Sequence, residues 1–375
     1  MDERHLHIIS FNIPYPPNFG GIIDVYYKIR ALYNAGIKIH LHCFEYDRGP
    51  APELESLCYE LHYYQRKTGM GSAGSLKPYI VQSRNNEALI QHLLADDYPI
   101  LFEGLHSCFF LNDPRLKKRF KIYRESNIEH QYYYNLFKAE KNPGPKIYYL
   151  IEAFKLRLYE KVLRYANLML AVSDSDTAYL KKKFPDKKII HLPSFHENDC
   201  IVGRPGRGDY VLYHGNLSVA ENIRAGIFIA EKIAPFSQLP ILFAGLNPDR
   251  KINEVVAKQP NITLVPNPTT PEMNTLITEA HAHLMVTFQA TGLKLKLLNT
   301  IYQGRHILAN KAMYNGTVIG KLVHHAETAD EFIEILSGIA DIPYTTNEMQ
   351  FRKETLNGFY SNTHNAQKLI ELIFD

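Results

Sequence analysis

Apolar residues in this chain fall in short runs that alternate with stretches of helical spacing. His5 to Phe11 predicts a buried first strand, which runs into Asn12-Ile13-Pro14-Tyr15-Pro16-Pro17-Asn18-Phe19-Gly20-Gly21, a loop rich in Pro and Gly. Ile22, Val25, Tyr26, Ile29 and Leu32 then recur at helical spacing, with Gly36 as the glycine that ends the helix. Ile37 to Phe44 reads as the next strand. Strand, helix, strand in this order is a βαβ unit, which favours a parallel sheet. Short strands follow at Pro99–Phe102 and Lys121–Tyr123. A long amphipathic helix is predicted for Ile147–Tyr165, with Leu150, Ile151, Phe154, Leu158 and Val162 as its apolar stripe. Leu168–Val172 is a strand, Ser173-Asp174 can cap a further helix, and Ile189–Leu192 closes the series.

Residues 194–209 are polar and rich in Gly and Pro, as expected of a linker. A second α/β series then begins at Tyr210-Val211-Leu212-Tyr213-His214. Its predicted elements are helix 221–234, strands Ile241–Ala244 and Ile262–Val265, helix 271–280, strand Leu284–Phe288, helix 294–303 and strand His306–Ala309. The reading is an α/β protein of two Rossmann-like, doubly wound domains facing a cleft, residues 1–200 and 201–361. The C-terminal helix, 362–375, is expected to pack back on the first domain. In such sheets ligands bind beyond the carboxyl ends of the strands.

The length of 375 residues fits two cores better than one. Lys and Arg number 42 against 39 Asp and Glu, so a polycation built for nucleic acid is excluded. A local basic run remains: Arg115, Lys117, Lys118, Arg119, Lys121 and Arg124, then Lys155, Arg157, Lys161 and Arg164. Its default reading is a solvated face, and its functional reading is peripheral attraction to an anionic membrane. Cys43, Cys58, Cys108 and Cys200 lack metal-binding spacing and read as reduced, buried apolar residues. Met1-Asp2-Glu3-Arg4 does not look like a signal peptide, and no apolar run is long enough to cross a bilayer. The expected location is cytoplasmic, or peripheral at the inner face of the membrane.

Four places can carry chemistry. Gly20-Gly21 opens the first helix, where backbone amides can approach a phosphate; a plain glycine turn is the alternative. His106 follows a short strand in Glu103-Gly104-Leu105-His106, where it can meet a sugar hydroxyl or simply bond to a carbonyl. Glu125-Ser126-Asn127-Ile128-Glu129-His130 can bind hydroxyls, or Ser126 and Asn127 can cap the helix that follows. Thr291-Gly292-Leu293-Lys294-Leu295-Lys296 leads into a helix with two lysines in its first turn. Cations are disfavoured at that positive end, unless a diphosphate sits there to be neutralised. Lys296 and Asn299 share one helix face. Histidine pairs at 5/7, 40/42 and 281/283 also share strand faces, but no Asp or Glu accompanies them at a useful ligand spacing, so ordinary strand histidines are the reading and no metal is expected.

Taken together, these motifs resemble the bacterial GT-B glycosyltransferases of the retaining, sugar-nucleotide-dependent class. The likeness runs over nearly the whole chain. It is carried by Pro14-x-Pro16-x3-Gly20-Gly21, the 125–130 segment, Tyr159-Glu160-Lys161, Ala171-Val172-Ser173-x2-Asp176, Tyr213-His214-Gly215-Asn216-Leu217-Ser218, and Thr291-Gly292-x-Lys294-x-Lys296-Leu297-Leu298 before Gly304-Arg305. The resemblance implies a nucleotide-sugar donor bound by the C-terminal half. It also implies a glycan or lipid-linked acceptor on the N-terminal half, and transfer with retention and without a metal or other cofactor. By the same resemblance, Gly20 and Gly21 approach the donor phosphates, His106 sits near the transferred sugar, Lys296 neutralises the leaving diphosphate, and Gly215, Asn216, Thr291, Gly292, Lys294 and Asn299 line the nucleotide site. The chain departs from the family pattern at two places. Glutamates usual in the family fall here on Thr291 and Asn299, and the usual Arg and Lys after the first donor-domain strand give way to Asn216 and to Glu221 or Asn222. The alternatives are therefore a degenerate, non-catalytic binding or scaffold relative, or a sugar-nucleotide epimerase.

Overall fold

The computed structural model describes residues 3–18, 20–69, 75–288, 294–314 and 317–375. Two compact units emerge: Met1–His196 with Tyr360–Asp375, and Glu197–Phe359.

The first unit holds a parallel sheet of order β3-β2-β1-β4-β5-β6-β7. Its strands are β1 (His5–Ser10), β2 (Lys38–Glu45), β3 (Glu60–Gln65), β4 (Ile100–Glu103), β5 (Lys121–Glu125), β6 (Leu168–Ala171) and β7 (Lys188–His191). Every residue of β1 is buried, as expected where helices cover both faces of a parallel sheet. Helix α1 (Gly20–Asn34) returns the chain from β1 to β2. It packs Val25, Ile29 and Leu32 in one core with Leu6, Ile8, Ile39 and Leu41. The C-terminal helix Asn362–Phe374 adds Ala366, Leu369 and Ile370 to that same core.

A buried ionic group fastens α1 to the carboxyl end of β4. Lys28 Nζ donates to Glu103 at 2.7 Å and to Asp24 at 3.0 Å, and Arg124 reaches Asp24 from β5 at 3.2 Å. Asp24 also accepts from the backbone N–H of Phe195 at 2.7 Å. Two cations face two carboxylates, so the formal charges of this nearly dry group balance. Burial works against the ionised Asp24, yet Arg124 and then Lys28 hold its carboxyl down at about 2.

Helices α2 (Glu129–Ala139) and α3 (Pro143–Tyr159) form a hairpin between β5 and β6. The apolar stripe of α3 does not face the core. Leu150, Ile151, Phe154 and Leu158 are exposed, whereas Glu152, Ala153 and Leu156 are buried. Glu152 accepts the Tyr79 backbone N–H at 2.7 Å, and the Tyr159 hydroxyl donates to the Cys108 carbonyl at 2.9 Å, which fixes the orientation. A short 3-10 stretch, Glu160–Tyr165, follows and buries Val162. The basic run divides as well. Arg119, Lys121 and Arg124 are buried and bonded within the fold, so they are no part of a solvated face. Of the cysteines, Cys43 and Cys108 are buried, Cys58 is half-buried and Cys200 is exposed, contrary to a uniformly buried set; none forms a disulfide.

The second unit repeats the plan with order β10-β9-β8-β11-β12-β13, again parallel. Its strands are β8 (Val211–Asn216), β9 (Ile241–Leu246), β10 (Ile262–Pro266), β11 (Ala282–Met285), β12 (His306–Ala309) and β13 (His324–His325). Helix α4 (Ala220–Phe228) follows β8, and α5 (Leu295–Gln303) precedes β12. Gly215 and Gly245 are register partners on β8 and β9. A Cβ on Gly245 would lie 1.7 Å from the Gly215 carbonyl oxygen, so the close strand pairing here demands glycine.

Candidate functional site

In each sheet the chain leaves the first strand toward one side and later returns to the other, so β1/β4 and β8/β11 are the two switch points. Loops at the carboxyl ends of those strands are where this architecture places ligands.

At the β8/β11 switch point, Lys294 stands at the cap position before α5 and Lys296 in its first turn, which holds no acid. Lys294 Nζ lies 3.3 Å from Glu221 Oε1, and Lys296 Nζ donates to Asn222 Oδ1 at 2.9 Å. Glu221 stands in the first turn of α4 and also accepts a hydrogen bond from the Thr287 hydroxyl. The Asn222 amide donates in turn to the Asn216 carbonyl at 2.9 Å. Burial pushes the Lys296 ammonium down to about 8, with Glu221 opposing and Lys294 assisting. A partly desolvated cation at a helix N-terminus is a ready anion site. The glycine character of Gly215 has a cause: it stands at φ +155°, and a Cβ there would meet the Asn222 amide at 3.2 Å. Asn299 Oδ1 accepts from Asn198 at 2.9 Å and from Gln303 at 2.6 Å, so this oxygen is held within the protein. Thr291 and Gly292 lie outside the described residues.

At the β1/β4 switch point, Gly20 and Gly21 form the first turn of α1. A Cβ on Gly21 would stand 2.8 Å from the Phe11 ring, so a side chain cannot enter while that ring holds its place. His106 stands in the 3-10 turn Leu105–Phe110, directed by Gly104, whose φ is +67°. The imidazole packs on Phe11 with ring centroids 5.3 Å apart, and its Nδ1 is 3.8 Å from Glu129 Oε1, with no hydrogen-bond partner. Burial, and then Arg84 and Arg66, hold His106 well below the usual histidine range, so it is neutral. Burial pushes the Glu129 carboxyl up to about 8, opposed by Arg84. The pair is thus a neutral imidazole beside a largely protonated acid, a state suited to hydroxyl recognition rather than to binding an anion. Ser126 and Asn127 cap nothing: the residue before α2 is Ile128, with no side-chain cap. Glu125 instead accepts from the Tyr123 hydroxyl at 2.7 Å, and burial raises its carboxyl well above the usual range.

Sequence reasoning missed Arg84 and Thr287 and did not foresee Glu221 and Asn222 as lysine partners. Arg84 follows a one-turn helix, Tyr79–Gln82, and donates to the Phe11 carbonyl at 2.7 Å, so it braces the loop after β1. Thr287 did carry a signal, since it is the polar residue that follows the apolar run Leu284-Met285-Val286, just past the carboxyl end of β11.

The strand histidines gain carboxylate partners that sequence spacing could not show. Asp96 accepts from His7 Nε2 at 3.0 Å, and Glu60 bonds His40 at 2.9 Å and His62 at 3.3 Å. Among the described residues, His42, His62 and His92 are the group whose ring nitrogens come within 4.8 Å of one another. Both nitrogens of His42 are already engaged, by His7 and by Tyr64, each at 2.8 Å, so the residues fit a hydrogen-bonded array rather than a metal site. A cavity of about 210 Å³ lined by Arg305, His306, His324, Tyr344 and Arg352 opens at the amino end of β12, away from the switch point.

No protein-family model matches the chain. It is similar to an uncharacterized 44.6 kDa protein in the cps region of Klebsiella pneumoniae, at 24% identity over 394 residues and 98% of each chain. Among solved structures it is similar to S. aureus TarM, at 10% identity, 99% of each chain and a TM-score of 0.66. Anabaena HepE in complex with UDP and glucose gives the same identity, coverage and TM-score. MurG of Acinetobacter baumannii gives 12%, 99% of each chain and 0.54. These likenesses show the fold, which is the α/β fold of GT-B glycosyltransferases, with two parallel sheets. Among the described residues, no helix is long and apolar enough to cross a membrane.

Proposed function

We propose that this chain is a glycosyltransferase that moves a sugar from a nucleotide-sugar donor to a glycan or lipid-linked acceptor, with retention, in the synthesis of a cell-surface polysaccharide. The observation that carries the reading is Lys294 and Lys296 at the start of α5, beside the switch point of the second sheet. There the two ammonium groups, with the positive end of the helix, grip the donor diphosphate and neutralise the charge that develops as it leaves. Asn216 and Gly215 supply backbone next to that site, and Asn299 turns its remaining amide to ribose or base. In the first unit, neutral His106 donates to or accepts from a sugar hydroxyl, and Gly20 and Gly21 leave backbone amides open to an anion. No step calls for a metal or another cofactor. HepE was solved with UDP, and the Klebsiella relative belongs to a cps region; both support trying UDP-sugars and polysaccharide acceptors first.

The test is acceptor-free turnover of a panel of UDP-, GDP-, ADP-, CMP- and dTDP-sugars. Release of free sugar and nucleotide from one of them supports transfer. Binding with no release in any assay favours the second reading, a non-catalytic relative acting as a binding or scaffold subunit. That reading draws on Asn299, an amide held by Asn198 and Gln303 where a carboxylate would serve catalysis.

A further inference from the structure

The outward face of α3 is apolar where a soluble surface should be polar. Ile147, Leu150, Ile151, Phe154 and Leu158 are each 43–64% exposed and recur at helical spacing, so they form one continuous ridge. Contiguous exposed apolar surface of this kind marks an interaction site. The rest of that face is basic. Arg157, Lys161 and Arg164 are exposed along and beyond the helix end, and Lys141 is exposed before its start. Between residues 141 and 165 the carboxylates are Glu152 and Glu160, which are 1% and 3% exposed and turned inward. The outward face therefore carries cations and apolar groups and no anion. On the neighbouring helix, Tyr132, Tyr134 and Lys138 are exposed too. The helix has 17 residues and is not long and apolar enough to cross a bilayer.

We propose that α3 is an interfacial helix that seats the first unit on an anionic phospholipid surface. Phe154, Ile151 and their neighbours enter the boundary between headgroups and acyl chains, while Arg157, Lys161 and Arg164 stay with the lipid phosphates. Charge complementarity selects this occupant. A protein partner or a second copy would have to supply acidic groups around an apolar groove, whereas a bilayer of anionic lipid presents both layers everywhere. The inference rests on the outward face of α3 alone, and a lipid-linked acceptor would be its natural consequence.

The experiment is vesicle flotation of the whole protein with phosphatidylglycerol–phosphatidylcholine vesicles and with pure phosphatidylcholine, at low and high salt. The expected result is flotation with the anionic vesicles, weakened by salt and absent with pure phosphatidylcholine. I151E/F154E should bind at least ~10-fold more weakly, and R157E/K161E should lose the preference for anionic lipid. These positions are exposed, so folding is checked by an unchanged melting temperature, and nucleotide binding should be untouched. Wild-type protein left behind by anionic vesicles, or I151E/F154E floating as well as wild type, overturns the proposal. So does a dimer, seen by light scattering, that the same pair of substitutions splits without any vesicle binding. Failure of nucleotide binding alone would instead count against the transferase reading and leave this one standing.

Discussion

The Lys296 ammonium donates to the side-chain oxygen of Asn222 at 2.9 Å, which ties the first turn of α5 to the first turn of α4. Next to it, Lys294 meets Glu221 at 3.3 Å. Two lysines that would burden an isolated helix N-terminus are thus each matched by a polar partner from α4.

Lys296→Ala should weaken nucleotide-sugar binding at least ~10-fold, or about 1.4 kcal/mol, while the melting temperature of the free protein changes little. Calorimetric titration measures it, and an unchanged affinity would remove Lys296 from the site.

Binding should also depend on pH in a defined direction. Burial pushes the Lys296 ammonium down to about 8, so its charge is complete only well below that value and is lost as pH rises through it. Nucleotide affinity should therefore fall between pH 7.5 and 9.5. Lys296→Arg, which stays charged, should flatten that fall. A wild-type profile parallel to that of Lys296→Arg would contradict the assignment.

Glu129 gives a stability prediction with the sign worked out. Its carboxyl is raised from 4.5 to about 8 in the folded chain, so folding retains a proton that the unfolded chain releases. The stability tied to that proton is complete below about 4.5 and is lost as pH rises through about 8. Relative to Glu129→Gln, wild type should lose about 1.4 kcal/mol per pH unit within that window. Urea unfolding at pH 5, 6, 7 and 8 follows it; parallel curves for the two proteins would show that the carboxyl is not perturbed.

The buried group around α1 predicts the cost of breaking an ion pair. Lys28→Met leaves Asp24 and Glu103 with Arg124 alone, and should cost about 3–5 kcal/mol of stability. Chemical denaturation reads this directly, and a loss under 1 kcal/mol would mean that the group reorganises.

Much of the architecture was legible because parallel strands buried on both faces announce themselves as short apolar runs. The strands near residues 5, 37, 211, 241, 262 and 306 follow from such runs. Edge strand β3 was not legible, since Glu60-Leu61-His62-Tyr63-Tyr64-Gln65 is only partly buried and carries too few aliphatic residues. The ridge of α3 misled for a physical reason: periodicity shows that a helix has an apolar side, not whether that side meets a core or something else. The two lysines of α5 could be read from the helix dipole, because they violate its preference. Their partners could not, since Glu221 and Asn222 lie over seventy positions away and reach them only through the sheet order. Acidic partners for the strand histidines were hidden likewise, as Asp96 meets His7 across 89 positions.

The most direct test of the central claim is a thermal-shift panel with UDP-, GDP-, ADP-, CMP- and dTDP-sugars and the free nucleotides, run on wild type and on Lys296→Ala. A ligand at ~100 times its dissociation constant adds about 2.7 kcal/mol to a folded protein, a shift that is readily measured. The account predicts stabilisation by one nucleotide family, UDP first, which Lys296→Ala abolishes. No stabilisation by any of them, or stabilisation that Lys296→Ala retains in full, would contradict a donor site at the start of α5.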